Sequence, residues 1–280
     1  MKRVDDGENT EQSSGVGECM EQVIKNEKTK QSRYPGLDTI RGITLMSMIL
    51  YHTCWDLVFL FDKRIPGYTG TAGYLWQQSI CWTFILLSGF CWSLGHRHLK
   101  RGLLVFGSGI LITAVTLLAM PESRVVFGVL TLIGSCMLLL IPLEKLLLRL
   151  PAEAGMAGSM LLFLLTRNVN DGKLGFEKWE MLSLPEALYQ NLFTTCLGFP
   201  QNGFFSTDYF SLIPWSFLFL AGFFLYRYVK KKNGMEIMFS FKIPLFNEMG
   251  KQSLLIYLLH QPVVFGISWV IFRLQGMIGK

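Results

Sequence analysis

The amino-acid sequence predicts an all-α fold, a polytopic transmembrane helical bundle of about seven spans with a cytoplasmic N-terminus. Three observations carry that prediction. Of the 280 residues, 51% are hydrophobic and 16% are charged, where soluble domains average about 25% charged. Several apolar runs approach the ~20 residues that a helix needs to cross a hydrocarbon core. The basic residues cluster in short connections that all fall on one side of a membrane if the N-terminus is inside. The net charge of +6 then reflects positive-inside placement and calls for no nucleic acid partner.

Taken in chain order, residues 1–33 are polar, mixed in charge and free of an apolar core segment, so they are not a signal peptide. They read as a disordered cytoplasmic tail, acidic up to Glu21 and then basic (Lys25, Lys28, Lys30, Arg33). Residues 34–275 read as one transmembrane domain, with spans at 37–61, 74–95, 101–119, 125–149, 151–166, 209–229 and 251–272. Inner connections hold the basic run His96 to Arg101, then Lys145 with Arg149, then Arg227 with Lys230 to Lys232. That gives a multi-pass plasma-membrane protein with its C-terminus outside. The outer loops are 62–73 and 167–208, and the second is too long for a plain connector. Within it, Ser183-Leu-Pro-Glu186 has the form of a capping box ahead of Leu184, Leu188, Leu192 and Phe193. This predicts a short amphipathic helix, either a lid over a site or an element packed on the bundle. The six cysteines are scattered without CxxC spacing, so neither a disulfide framework nor a metal site is expected.

Ionisable groups inside a span are costly and mark a functional path by default. Asp38, Arg41, His52 and Asp56 all fall in the first span. At ~100° per residue, Arg41 and His52 differ by ~20° around the helix, and Asp38 and Asp56 lie ~40° to one side of His52. At ~1.5 Å per residue the Arg41–His52 separation is ~16 Å. Further polar groups are Gln77 near the outer end of the second span, Asp208 at the entrance to the sixth, and Ser253, Tyr257 and His260 on one face of the seventh. Small residues such as Ser88 and Gly89 serve close helix packing.

A cation at the inner mouth and a His/Asp cluster towards the outside are what acyl transfer across a membrane needs. Arg41, with Asp38 beside it, would engage the phosphates of an acyl donor. His52 would act as general base or transiently carry the acyl group, and Asp56 would orient it. His260, Gln77, Asp208 and Tyr257 would shape the acceptor site. The same stripe also fits a proton-coupled transporter or flippase, or a non-catalytic protein in which Asp38 and Arg41 form a structural pair.

The opening Leu37-Asp-Thr-Ile-Arg-Gly42, with Arg41 and His52 eleven residues apart, resembles the first span of the multipass acyltransferases that O-acetylate cell-envelope polysaccharides. The remainder resembles more closely the catalytic-domain family of heparan-α-glucosaminide N-acetyltransferase in its short bacterial form. The segments Phe84 to Gly89, Phe127 to Gly134, Asp208 to Trp215 and Gly250 to Pro262 carry that likeness, in order, over residues ~35–272. The resemblance implies an integral membrane acyltransferase that takes an acetyl group from cytoplasmic acetyl-CoA, its donor substrate, and needs no metal. It implies an extracytoplasmic sugar or glycan as acceptor, with Arg41 and His52 in paired roles. One position departs from the family pattern Phe-Gly-Ile-Leu-His: the chain has Thr131 where the pattern has histidine.

Overall fold

The structure, a computed structural model, describes residues 34–278. The expected tail, residues 1–33, lies outside them. The helices in chain order are α1 (Pro35–Phe59), α2 (Thr71–Trp92), α3 (His98–Ala119), α4 (Val129–Leu147), α5 (Ala152–Leu165), α6 (Leu192–Leu197), α7 (Leu212–Lys231), α8 (Met235–Phe239), α9 (Pro244–Lys251) and α10 (Ser253–Ile278). Each segment expected to span is helical. Five of them, α1, α3, α4, α7 and α10, are long and apolar enough to cross a membrane. The two other expected spans fall short for different reasons. Helix α2 has 22 residues, but Gln77, Gln78 and its serines dilute its apolarity. Helix α5 has 14 residues, which gives it a length of ~21 Å against a hydrocarbon core of ~30 Å. The fold is a multi-pass helical membrane bundle. Its apolar outer face is clearest on α3, where Leu104, Leu111 and Leu118 are 61%, 56% and 87% exposed; a membrane supplies the apolar solvent that makes such a face stable.

Glycines set the closest helix approaches. Gly89 of α2 lies against the Phe219 backbone of α7, and Gly222 of α7 lies against the Leu86 backbone of α2. Gly134 of α4 meets the Phe106 backbone of α3. Around these contacts Trp92, Phe163, Trp215, Leu218, Phe219, Phe223 and Phe224 form the buried centre. Helices in lipid gain no hydrophobic drive from one another, so small residues that let backbones touch supply the packing. At the opposite side of the bundle α9 crosses the first turns of α1. Gly36 and Gly42 of α1 touch the Phe239 and Phe246 backbones, and Gly250 touches Asp38. Asn247 donates to the Pro35 carbonyl at 2.9 Å, and Thr39 Oγ1 accepts from the Ile243 amide at 3.3 Å.

The long loop differs from expectation. Ser183 ends a two-stranded antiparallel hairpin, β1 (Lys173–Phe176) paired with β2 (Trp179–Ser183). Residues Glu186–Leu188 make a 3-10 turn, and helix appears only at α6. The true cap is Asn191, whose side chain accepts from the Thr194 amide while Thr194 reciprocates. A four-residue capping pattern begins a helix only if an apolar face beyond it is buried, and Leu192 and Phe193 are 56% and 72% exposed. The hairpin turn is fastened by Asn168, which donates to the Glu177 carbonyl at 2.8 Å and accepts from the Glu177 amide at 2.9 Å.

Candidate active site

The polar stripe of the first span runs along an unbroken α1. At its start Pro35 opens the helix and Asp38 lies in the first turn, where an acidic group complements the helix dipole. Arg41 Nη1 donates to Asp38 Oδ1 at 2.9 Å, and the Arg41 side chain keeps 24% of its surface exposed. Cys91, at the end of α2, lies in the electrostatic field of Arg41. Arg101, in the first turn of α3, acts electrostatically on both. A second guanidinium, from another helix, thus lies within electrostatic reach of Arg41, which the buried Asp38 carboxylate holds. The sequence does not single out Arg101, because a basic loop run is what positive-inside placement predicts by itself.

Towards the other end, α1 meets α10. The rings of His52 and His260 face each other with centroids 5.0 Å apart. Tyr51 packs edge-on against His52 at 5.8 Å, and Tyr257 lies 5.5 Å from His260. His260 is 9% exposed. Its Nδ1 lies 2.6 Å from the Tyr257 carbonyl oxygen. A carbonyl only accepts, so Nδ1 carries the proton and Nε2 presents a lone pair. That Nε2 is buried and has no hydrogen-bond partner. The arrangement is an imidazole with its orientation and tautomer fixed and its basic nitrogen available.

Asp56 is fully buried. Among the described residues its carboxylate is held by Gln261, whose Nε2 donates to Asp56 Oδ1 at 3.1 Å, rather than by His52 one turn before it. Asp56 Oδ2 and Gln261 Oε1 are buried without partners. Together with His260 Nε2 they form a set of acceptors suited to a donor-rich ligand such as an amine or a hydroxyl. Gln261, next to His260 in sequence, is a site residue that periodicity does not reveal: it lies ~100° from its neighbour around α10.

The remaining candidates form a second group. Asp208 lies in the loop before α7, and its Oδ2 accepts from the Val129 amide at the start of α4 at 3.4 Å. Burial pushes its carboxyl up to about 6, with the Val129 bond opposing. Tyr257 lies in the electrostatic field of Asp208 and of Cys81, and its ring meets Phe84 edge-on at 6.3 Å. Gln77 is half-buried, yet Gln78 is the glutamine that joins the network. Its Oε1 accepts from Trp82 Nε1 and from Arg167 Nη2, each at 3.1 Å. Thr131 is 6% exposed and packs on Gly109 of α3, where an added Cβ would come 2.6 Å from its Cγ2. The departure from the family pattern therefore falls at the α3–α4 contact. Among the described residues no group of three or more metal-ligating side chains converges.

A multi-pass helical bundle with ionisable side chains facing one another between its helices is the architecture of a membrane-embedded catalyst or carrier. The family model described as heparan-alpha-glucosaminide N-acetyltransferase, catalytic, matches residues 33–262. The chain belongs to that family, and its class is accordingly that of a membrane acetyltransferase. No curated protein and no solved structure matches it.

Proposed function

We propose that the protein transfers an acetyl group from cytoplasmic acetyl-CoA to an extracytoplasmic sugar or glycan across the plasma membrane. In this reading the chain crosses the membrane about seven times with its N-terminus inside and its C-terminus outside. Arg41, positioned by Asp38 and joined by Arg101, holds the donor's phosphates at the inner mouth. The pantetheine arm runs along the α1 stripe to the histidine pair. His260 Nε2 or His52 takes the proton from the acceptor's amine or hydroxyl as that group attacks the thioester carbonyl carbon. The new carbon–nitrogen or carbon–oxygen bond forms, the carbon–sulfur bond breaks, and the imidazolium returns its proton to the departing CoA thiolate. Asp56 and Gln261 anchor the acceptor's donor groups, while Gln77, Tyr257 and Asp208 line its approach.

The observation that supports this most is the meeting of His52 and His260 across α1 and α10 at 5.0 Å, with one basic nitrogen left unbonded. A merely structural histidine pair has no need of a free acceptor in a buried site. The test is CoA release by purified protein in nanodiscs, supplied with acetyl-CoA and a panel of amino sugars and cell-wall fragments. Release that depends on both acceptor and His52 is expected, and His52→Ala lowers it by ~10²–10⁴-fold. Release at the wild-type rate from His52→Ala contradicts the mechanism.

A further inference from the structure

One buried cation has no part in the chemistry above. Arg167 follows the last turn of α5, and its side chain is 14% exposed. Its guanidinium lies over the Trp215 ring at 4.9 Å, a cation–π contact that holds it in place. Nη2 donates to Gln78 Oε1 at 3.1 Å and to the Tyr74 hydroxyl at 3.2 Å. Nε is buried and has no hydrogen-bond partner. Glu177 Oε1 stands 3.7 Å from it, beyond hydrogen-bond reach, and takes the Tyr74 hydroxyl at 2.5 Å. An arginine with a buried Nε–H unmet is poorly satisfied, because a buried guanidinium is stable only when its charge and its donors are matched. Glu177, by contrast, belongs to the hairpin turn and its side chain is 40% exposed, so it can leave for water at little cost.

Arg167 is also joined to the histidines through packed side chains. Its guanidinium covers Trp215, Tyr257 packs against the same buried cluster as Trp215, and the Tyr257 ring is 5.5 Å from that of His260. We propose that Arg167 is the specificity residue on the acceptor side, recognising a carboxylate or phosphate carried by the acceptor sugar in the place Glu177 now holds. This rests on the reading of the chain as an acetyltransferase to an outer sugar, and it narrows the acceptor to an anionic one. Guanidinium forks are the preferred partners of both anions because they pair with two oxygens at once.

The experiment measures binding without acetyl transfer, so its failure is distinct from a failure to release CoA. Isothermal titration of the full chain in zwitterionic nanodiscs compares glucosamine, glucosamine 6-phosphate and muramic acid. Both anionic sugars are expected to bind about tenfold or more tightly than glucosamine, the scale of one charge-assisted hydrogen bond. Arg167→Gln brings them down to the affinity of glucosamine. Glu177→Gln, which removes the competing carboxylate and keeps Arg167, raises their affinity severalfold. If Arg167 and Glu177 were only a latch for the hairpin, Glu177→Gln would loosen the hairpin with no gain in anion affinity. Equal affinities for the three sugars, binding of none of them, or a preference that survives Arg167→Gln would overturn the proposal.

Discussion

Replacing Gly250 by alanine tests how the Arg41 end of the bundle is built. Gly250 of α9 faces the Asp38 backbone of α1 so closely that an added Cβ would fall 1.8 Å from the Asp38 carbonyl oxygen and 2.6 Å from its carbon. Carbon atoms in good contact are about 3.5 Å apart, so the two helices must separate by at least about 1 Å. Neither can yield cheaply, because Gly42 meets Phe246 on the same interface and Asn247 is bonded to Pro35. Overpacking of this kind costs about 1–3 kcal/mol, which for a chain of this size lowers Tm by roughly 2–10 °C. The same shift moves Asp38 and the Arg41 it holds. A misplacement of ~1 Å costs up to ~10²-fold in rate, so kcat/KM for acetyl-CoA falls by roughly 10–100-fold. Thermal unfolding in nanodiscs and initial rates of CoA release read the two effects. The control is Gly266→Ala in α10, where an added Cβ meets nothing within 4 Å and Tm holds or rises. A Gly250→Ala protein with wild-type Tm and wild-type donor kinetics would refute the packing argument.

Other perturbations follow from the same contacts. Gln261→Leu leaves the buried Asp56 carboxylate without the donor now 3.1 Å away, and unfolding in nanodiscs should show a loss of about 1–3 kcal/mol. Thr131→His, which restores the family pattern, lowers Tm and does not raise the acetylation rate, since the side chain meets α3 at Gly109; a rate gain would contradict this. Asp208 gives a pH dependence with a defined sign. Its folded carboxyl, pushed up from 3.8 to about 6, holds its proton more tightly than the unfolded chain does. Stability is therefore greatest below the unfolded value and declines as pH rises from about 4 to 6. Asp208→Asn should flatten that decline in Tm across the interval, and an unchanged slope would count against it.

The helices were legible because long apolar runs admit little else, and the α1 stripe was legible because helical geometry is local. Which helices meet is a different kind of information. His52 and His260 are far apart in sequence, and no periodicity brings α10 against α1. Glycine contacts do that, through the Gly42–Phe246 and Gly250–Asp38 approaches that seat α9 under both. Asp56 shows the limit on a single helix: one turn from His52, it pairs across to Gln261, because an interhelical donor reaches the carboxylate better than a side chain stacked on the same face. The β hairpin was hidden behind a plausible capping box, although Gly172 ahead of β1 and Gly175 at the irregularity within it, with φ of +79° and +138°, are the glycines its backbone needs; the turn itself falls at Glu177, which no turn motif announces. Arg167 was hidden by its place at the boundary of a span, where a basic residue draws no notice until Trp215 and Gln78 are seen around it.

In the proposed transfer His52 and His260 serve one chemical step. The direct measurement is a double-mutant cycle on the acetylation rate, with His52→Ala, His260→Ala and the double variant in nanodiscs at saturating acetyl-CoA. Groups that act as a unit are strongly non-additive. The double variant is predicted to be no slower than the slower single variant, within about threefold. Losses that multiply would place the two histidines in separate steps, and single variants that retain wild-type rates would remove them from the chemistry.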